Sequence, residues 1–200
     1  MKRVRASAAM KVNEIFYSIQ GEGGRAGEPS VFIRLSDCDL ECSYCDTEFE
    51  SGTEMTLDEI GQEISQYPCT WIVWTGGEPA LQLTEEIIRY FKEKGYKQAI
   101  ETNGNHKLSP GLDYVAVAPK VAEHVLKKNF PDGVTELRYP RHKGHKTVPN
   151  PSIKAQYYFL SPVFNGDKPD WENINHCIKL CLDNPQWRLS VQVHKFLKVL

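Results

Sequence analysis

The chain has no long hydrophobic run and no strong excess of charge of either sign. No stretch of its 200 residues approaches the roughly 18 consecutive apolar residues of a transmembrane helix. The formal net charge of −2 gives no reason to expect nucleic acid or an anionic membrane surface as a partner. The basic start, residues 1–11, lacks the apolar core of a signal peptide. We therefore expect a cytoplasmic protein with no nucleic-acid partner and no membrane partner.

The chain also lacks the cysteine pattern of a disulfide-rich secreted domain. It has six cysteines, and three of them fall within residues 38–45, which fits a reducing compartment better than a disulfide framework. The sequence shows no internal repeat or low-complexity segment. Its length suits one domain, which we assign to residues 12–200. Residues 1–11 are predicted to be an N-terminal extension that could be disordered.

The clustered cysteines are Cys38, Cys42 and Cys45, in a C-x3-C-x2-C pattern. Thiolates are soft ligands that favour zinc, copper(I) or iron–sulfur clusters. A structural zinc site normally has four protein ligands, and a [4Fe–4S] cluster usually has four cysteines. Three adjacent cysteines therefore indicate a cluster with one open iron position. The alternative is a zinc-binding module without catalysis.

Short apolar runs alternate with helical segments along most of the chain. Strands are predicted at residues 12–17, 31–35, 71–74, 98–101, 114–117, 135–139, 157–160 and 189–193. Helices are predicted at residues 56–66, 84–94 and 171–182, the last with Trp171, Ile174, Ile178 and Cys181 on one face. This alternation predicts an α/β fold, in which a parallel sheet is covered by helices.

Several polar motifs follow directly after predicted strands, where ligands bind in barrel-like sheets. The T-G-G-E-P motif begins at Thr75, and its glycines would let the backbone approach a ligand closely. Glu101 in E-T-N-G could bind a ribose diol or could simply be a turn carboxylate. Arg34 lies within an apolar strand, so it is either at an edge or reaches a buried anion. The Q-G-E-G motif at residues 20–23, taken alone, fits a polar hairpin loop.

Taken together, these motifs resemble the radical S-adenosylmethionine (SAM) enzymes and, among them, the 7-carboxy-7-deazaguanine synthases. The resemblance extends from about Asn13 to the C-terminus and includes the following motifs: S-I-Q-G-E-G, F-I-R-L, C-x3-C-x2-C-D-T, T-G-G-E-P, E-T-N-G, A-P-K, L-S-P-V and Q-x-H-K. It implies an abbreviated, incomplete radical SAM β/α barrel that forms a homodimer. It also implies a carbon–nitrogen lyase of queuosine biosynthesis, a tRNA modification pathway, that converts 6-carboxy-5,6,7,8-tetrahydropterin to 7-carboxy-7-deazaguanine with loss of ammonia.

The resemblance further implies the cofactors and the residues that hold them. The three clustered cysteines would bind a [4Fe–4S] cluster, and Thr47 would bind Mg²⁺. A flavodoxin-type or ferredoxin-type protein would donate the electron. The residues implied to bind SAM are Tyr44, Asp46, Gly76, Gly77, Glu78, Glu101, Ala118, Pro119, Lys120 and Ser161. Those implied to bind the pterin are Ile19, Gln20, Gly21, Glu22, Arg34, Thr75, His194 and the terminal carboxylate of Leu200.

Two positions depart from the pattern of the family, and two further interpretations stay open. Relatives commonly carry serine at the position of Ala118 and glutamine at that of Ser161, so Ser161 is expected to contact SAM through its backbone. The basic segment 141–146 could dock an acidic electron donor or could be a solvated loop. A short radical SAM activase that acts on a glycine of a partner protein is a second alternative, although it leaves Q-G-E-G and Q-x-H-K unexplained.

Overall fold

The computed structural model describes residues 8–42 and 48–199. Four predicted site residues in the cysteine loop (Tyr44, Cys45, Asp46 and Thr47) and the terminal Leu200 lie outside these ranges. The described chain divides into two compact units. The first contains residues 8–18, 29–42, 48–102 and 106–114, and the second contains residues 19–28, 103–105 and 115–199.

The first unit is built on five strands in the order β3-β1-β2-β4-β5. These strands are β1 (Ala9–Ile19), β2 (Pro29–Leu35), β3 (Thr53–Thr56), β4 (Trp71–Gly76) and β5 (Lys97–Thr102). β4 pairs in parallel with both β2 and β5, whereas β1 and β3 pair with each other in antiparallel orientation. Because the carboxyl ends of parallel strands meet at one edge of a sheet, the segments that follow β2, β4 and β5 lie side by side.

Two helices cover this part of the sheet. Helix α1 (Leu57–Ile64) begins at the predicted capping box, in which Thr56 and Glu59 each bind the other's backbone N–H. Helix α2 (Glu85–Glu93) is capped by Thr84, whose hydroxyl accepts from the N–H of Ile87. The apolar faces of both helices are buried with Ile33, Ile72 and Trp74 of the sheet.

The second unit has four parallel strands in the order β6-β7-β8-β9 and three helices. The strands are β6 (Tyr114–Val117), β7 (Val134–Arg141), β8 (Ala155–Pro162) and β9 (Trp187–Leu189). The helices are α3 (Glu123–Asn129), α4 (Trp171–Asp183) and α5 (Val193–Leu197). Among the described residues, no helix is both long and apolar enough to cross a membrane.

The structure corrects two of the predicted elements. The predicted strand at 189–193 is wrong, because β9 ends at Leu189 and residues 193–197 form helix α5. The face of α4 predicted to carry Trp171, Ile174, Ile178 and Cys181 is only partly buried. Ile174 is buried, but Trp171 is 63% exposed, and the other buried apolar residues of the helix are Cys177 and Leu180. The thiol of Cys177 is part of the core, and burial raises its pKa to about 12.

Three elements have no counterpart in the sequence prediction. Strand β3, helix α3 and helix α5 are each seven residues or shorter, so their periodic pattern is weak. Strand β1 begins at Ala9, three residues before the predicted strand and within the segment assigned to the N-terminal extension.

Candidate functional site

The segment that carries the first two cysteines leaves the sheet at the end of β2. Cys38 and Cys42 are both partly buried, and burial raises the pKa of the Cys38 thiol. Because metal binding requires the thiolate, a bound cluster would supply the positive charge that favours it. The described part of this loop therefore fits the soft-ligand cluster that the sequence predicts.

The base of the cysteine loop is closed by backbone hydrogen bonds. The N–H of Asp37 donates to the carbonyl of Phe49 over 2.8 Å, and the hydroxyl of Ser36 donates to the carbonyl of Ser51. Asp37 has a φ of 69°, a left-handed conformation that is uncommon for a residue other than glycine. The loop thus starts and ends at adjacent points, which favours the convergence of ligands at spacings of three and two.

Gln82 holds the start of this loop against β1, and the sequence analysis missed it. Its side-chain oxygen accepts from the N–H of Lys11 over 2.8 Å. Its amide nitrogen donates to the carbonyls of Ser36, over 2.9 Å, and of Lys11, over 3.3 Å. A glutamine offers both a donor and an acceptor, so one side chain bridges the two segments. No local sequence pattern distinguishes this glutamine from an exposed one.

The far end of the loop is organised by Glu48. Its carboxylate accepts hydrogen bonds from the side chain and N–H of Ser51, from the side chain of Asn13 and from the N–H of Glu50. These bonds, those from Ser51 above all, lower the pKa of Glu48 to about 2. On the other side of the loop, Asp39 lies 2.9 Å from the ring of His106.

The T-G-G-E-P turn packs directly on the start of the cysteine loop. The N–H of Gly77 donates to the carbonyl of Leu35, and the N–H of Glu78 donates to that of Asp37, each over 2.9 Å. A Cβ on Gly77 would lie 1.9 Å from the carbonyl oxygen of Asp37. Gly76 has a φ of 111°, and a Cβ there would lie 2.2 Å from the carbonyl oxygen of Leu35. The described structure thus requires both glycines for chain packing. This reason is separate from the close approach of a ligand that the sequence predicts.

The side chain of Glu78 is fully buried and stabilises the same turn. It accepts from the hydroxyl of Thr102 over 2.7 Å and from the N–H of Ala80 over 3.0 Å. Thr102 follows Glu101, the predicted ribose ligand, and the side chains of Glu101 and Thr102 point to opposite faces of β5. The burial of Glu78 indicates that its part in SAM binding would be to shape the turn.

The last part of E-T-N-G, which begins at Asn103, is joined to the A-P-K motif within the second unit. The N–H of Lys120 donates to the carbonyl of Asn103 over 3.0 Å. Ala118, Pro119 and Lys120 are all partly buried. These residues therefore form one connected turn region, as expected if both motifs contact one ligand.

Arg34 and Thr75, two predicted pterin residues, occupy paired positions on β2 and β4. The Nε atom of Arg34 lies 3.3 Å from a carboxylate oxygen of Glu14, and its guanidinium stacks over Phe16 at 5.4 Å from the ring centre. One anion that Arg34 contacts among the described residues is thus Glu14 of β1. A substrate carboxylate at this position would share the guanidinium with Glu14.

The Q-G-E-G loop is held by charged and polar groups of the second unit, with Glu22 at the centre. A carboxylate oxygen of Glu22 lies 2.9 Å from an Nη atom of Arg138. The same carboxylate accepts from the amide of Gln192 over 3.1 Å and from the hydroxyl of Ser161 over 3.3 Å. Ser161 was predicted to contact SAM through its backbone, and its side chain here donates to Glu22.

The charge of Glu22 follows from these contacts. Burial alone would raise its pKa, but the ion pair with Arg138 and the hydrogen bonds from Arg138 and Gln192 outweigh this effect. The pKa of Glu22 therefore lies below its ordinary value. The loop presents a partly buried carboxylate that stays ionised at neutral pH.

His194 lies directly against the same loop. The N–H of Val193 donates to the carbonyl of Gly21 over 3.0 Å, and a Cβ on Gly21 would lie 1.9 Å from the Nδ1 of His194. Glycine at position 21 is therefore required for this close approach. The structure thus brings together the Q-G-E-G and Q-x-H-K motifs, which are far apart in the sequence.

The basic segment 141–146 is tied to helix α4. Lys143 forms an ion pair with Glu172, and its N–H donates to the side chain of Asn173 over 2.9 Å. The rings of His142 and His145 lie 4.0 Å apart. These contacts within the chain hold the segment against helix α4. Docking of an electron donor there stays a prediction.

Within residues 8–42 and 48–199, no group of three histidine, cysteine or acidic side chains is placed to hold a metal ion. Cys45 and Thr47 lie outside those ranges, so the predicted cluster and Mg²⁺ ligand sets are only partly described.

Comparison with known proteins tests the predicted family and fold. Residues 33–130 match the model of the Radical SAM superfamily. The chain is 38% identical to the 7-carboxy-7-deazaguanine synthase of Bacteroides thetaiotaomicron, over 94% of this chain and 98% of the relative. It is 32% identical to the enzyme of that name from Bordetella pertussis, over 96% and 99% of the two chains. The chain belongs to the 7-carboxy-7-deazaguanine synthase family.

A solved structure confirms the predicted fold of this family member. The crystal structure of QueE from Escherichia coli superposes with a TM-score of 0.75, covering 96% of this chain and 97% of that one at 22% identity. The predicted α/β radical SAM barrel-type fold is therefore confirmed. Family membership makes the chain a radical SAM lyase with a small-molecule substrate, a [4Fe–4S] cluster and SAM. It does not favour the zinc module or the glycine-directed activase.

Proposed function

We propose that this chain converts 6-carboxy-5,6,7,8-tetrahydropterin to 7-carboxy-7-deazaguanine in the queuosine pathway. The observation that carries the proposal is the identity of 38% over nearly the whole length of a 7-carboxy-7-deazaguanine synthase. Loss of one ammonia accounts for the whole difference between substrate and product. The ring contraction therefore needs no net oxidant or reductant, and SAM would be regenerated.

The Q-G-E-G loop supplies groups that suit one edge of the pterin. The ionised carboxylate of Glu22 can accept hydrogen bonds from the N–H groups of the pterin's guanidine-like edge, and bonds to a charged acceptor are roughly twice as strong as neutral ones. Gln20 lies beside Glu22, because its side-chain oxygen accepts from the N–H of Glu22 over 3.2 Å. Gly21 and His194 lie beside the loop through the contacts described above. Ile19, Thr75 and the terminal carboxylate of Leu200 complete the proposed pterin set.

Arg34 is the proposed partner of the substrate carboxylate. A planar guanidinium can bind a carboxylate through two parallel hydrogen bonds, and its stacking on Phe16 limits its movement. Since Glu14 also contacts the Nε of Arg34, Glu14 would orient the guanidinium.

The cofactor residues complete the proposal. Cys38, Cys42 and Cys45 would hold the cluster, which together with bound SAM supplies the one-electron chemistry that starts hydrogen abstraction. The proposed SAM residues are Tyr44, Asp46, Gly76, Gly77, Glu78, Glu101, Ala118, Pro119, Lys120 and Ser161. Thr47 would bind Mg²⁺, a hard ion that prefers oxygen ligands.

The cellular setting is also a proposal. We infer a cytoplasmic homodimer that receives its electron from a flavodoxin-type or ferredoxin-type protein and has no nucleic-acid partner. The three closely spaced cysteines support a reducing compartment, and the net charge of −2 gives no general attraction to nucleic acid.

The test is direct product formation. Protein reconstituted anaerobically with iron and sulfide is incubated with SAM, Mg²⁺, a reductant and the carboxytetrahydropterin, and the deazapurine is detected by mass spectrometry. A Cys42→Ala variant is the control and is expected to make no product. A reconstituted protein that cleaves SAM but leaves the pterin unchanged would refute the proposed substrate.

A further inference from the structure

Strand β7 carries two charged residues, Glu136 and Arg138, whose side chains are buried. Glu136 is 1% exposed and Arg138 is 7% exposed, and their spacing of two places them on the same face of the strand. Buried charges are costly unless they are paired and hydrogen-bonded. This pair therefore calls for an explanation beyond packing.

Both carboxylate oxygens of Glu136 accept hydrogen bonds, one from Gly24, which follows the Q-G-E-G motif, and the other from Arg138. One carboxylate oxygen accepts from the N–H of Gly24 over 2.9 Å, and the other accepts from the Nε of Arg138 over 2.8 Å. Each oxygen thus has its own donor. A glutamine of the same shape would have only one acceptor oxygen and would lose one of the two bonds.

Arg138 bridges two carboxylates with separate nitrogen atoms. Its Nε binds Glu136, and its Nη1 binds Glu22 over 2.9 Å. A lysine at this position would keep the charge but has one nitrogen at the end of a flexible chain. The bridge therefore requires the guanidinium and not merely a positive charge.

The loop backbone is seated directly on this pair. Gly23 has a φ of +69°, and a Cβ there would lie 2.2 Å from a carboxylate oxygen of Glu136. The N–H of Gly23 donates to the hydroxyl of Ser190 over 2.9 Å. Both the left-handed φ and the close carboxylate favour glycine at position 23, and Glu136 contacts the loop where it lies on β7.

We propose that Arg138 and Glu136 are positioning residues that hold the Glu22 carboxylate ionised and fixed in place, so that it can bind the N–H groups of the pterin. This inference rests on the proposed function, because Glu22 has a substrate contact to make only if the chain binds a pterin. Neither residue is proposed to touch the substrate itself.

The proposal predicts a specific effect of pH. Among the described residues, the charged or titratable groups that act on Glu22 are Arg138 on β7 and His194 on α5, with Glu136 behind Arg138. Without Arg138, burial would dominate and the pKa of Glu22 would rise. A protonated Glu22 is a poorer acceptor. As the pH is lowered, the variant should therefore lose substrate affinity at a higher pH than the native chain does.

The experiment compares four variants of the reconstituted enzyme: Arg138→Gln, Arg138→Lys, Glu136→Gln and the control Arg188→Gln. Arg188 is an exposed arginine on β9 that stacks over Tyr157 at 4.7 Å, so its change controls for loss of one arginine from the same unit. The measurements are kcat and KM for the pterin from mildly acidic to mildly basic pH, iron per chain, SAM affinity and melting temperature.

The expected result is a rise in KM for Arg138→Gln of roughly tenfold to a hundredfold at neutral pH, the scale of a lost bond to a charged group. The acidic limb of its kcat/KM profile should move to higher pH, which a merely structural loss would not produce. Glu136→Gln and Arg138→Lys should show smaller rises in KM. Iron content and SAM affinity should match the native chain in all four.

Three outcomes would overturn the proposal. One is a folded Arg138→Gln variant with native KM and pH profile. Another is a folded, isosteric Glu136→Gln variant with native KM, which remains decisive if Arg138→Gln does not fold. The third is a lowered kcat with KM unchanged. Turnover of the pterin by the native chain in the same assay separates these results from a failure of the proposed function.

Discussion

The substitution Gly77→Ala separates two reasons for glycine in the T-G-G-E-P turn. In the structure, an added Cβ would lie 1.9 Å from the carbonyl oxygen of Asp37 and 2.6 Å from its carbonyl carbon. Carbon atoms in van der Waals contact pack best at roughly 3.5–4.0 Å. The turn and the start of the cysteine loop would therefore have to separate by more than about 1 Å.

The cost of this separation can be estimated from the bonds that it breaks. The N–H of Gly77 to Leu35 and the N–H of Glu78 to Asp37 are both 2.9 Å long and would both be stretched. Each contributes about 1 kcal/mol, and residual strain from overpacking adds about 1–3 kcal/mol. We expect Gly77→Ala to lower the free energy of unfolding by about 3–5 kcal/mol.

The assay is urea unfolding of the protein without iron or SAM. Gly61→Ala is a matched control, because the Cβ that it adds in α1 would meet its nearest neighbour at an ordinary 3.5 Å. It should be neutral or should stabilise the helix by up to about 1 kcal/mol. If metal-free Gly77→Ala unfolds at the native urea concentration and loses only SAM affinity, the turn requires glycine for the cofactor, and the packing argument is wrong.

Four further predictions concern the cofactors and the substrate. Gln82→Met should lose three hydrogen bonds, lower the free energy of unfolding by about 2 kcal/mol and reduce iron incorporation. The control Gln66→Met loses only local bonds in an exposed turn and should change neither stability nor iron content. Equal iron content and stability in the two variants would exclude the bridging role of Gln82. Glu101→Ala should weaken SAM binding, measured by titration, with iron content unchanged, and native SAM affinity would indicate a turn carboxylate. Thr47→Ala should blunt the response of turnover to added Mg²⁺, and a native response would remove it from the site. Glycines added after Leu200 should raise KM for the pterin while SAM affinity holds, and efficient turnover by the extended chain would place the carboxylate in water.

The cofactor-binding motifs could be predicted from the sequence because each depends on a short stretch of the chain. Ligand spacing within Cys38–Cys45 and the turn that begins at Thr75 depend on a few adjacent residues. The same holds for the capping box at Thr56 and Glu59, which the structure confirms. Short apolar runs likewise predicted most strands of the sheet, since a buried strand reads as a short continuous apolar run.

The C-terminal segment shows where local pattern fails. Its alternating apolar residues favour a strand, yet Val193–Leu197 is a helix, in which Phe196 packs edge-on against Phe164 with ring centres 5.7 Å apart. Strand propensity depends on the neighbours that a segment meets. The neighbour here is set by the fold and not by the adjacent sequence.

Tertiary structure alone decided which groups act on each motif. Glu22 and Gln192 are 170 positions apart in the chain, and nothing near Glu22 in the sequence indicates that Arg138 will hold its charge. The opposite charges of Glu136 and Arg138, two residues apart in a predicted strand, are the one local sign of this pairing. Long-range pairing depends on strand order and register, whereas motif spacing depends only on the local chain. The sequence therefore determined the cofactor-binding motifs. The fold determined which charges surround Glu22 and how little space lies beside Gly77.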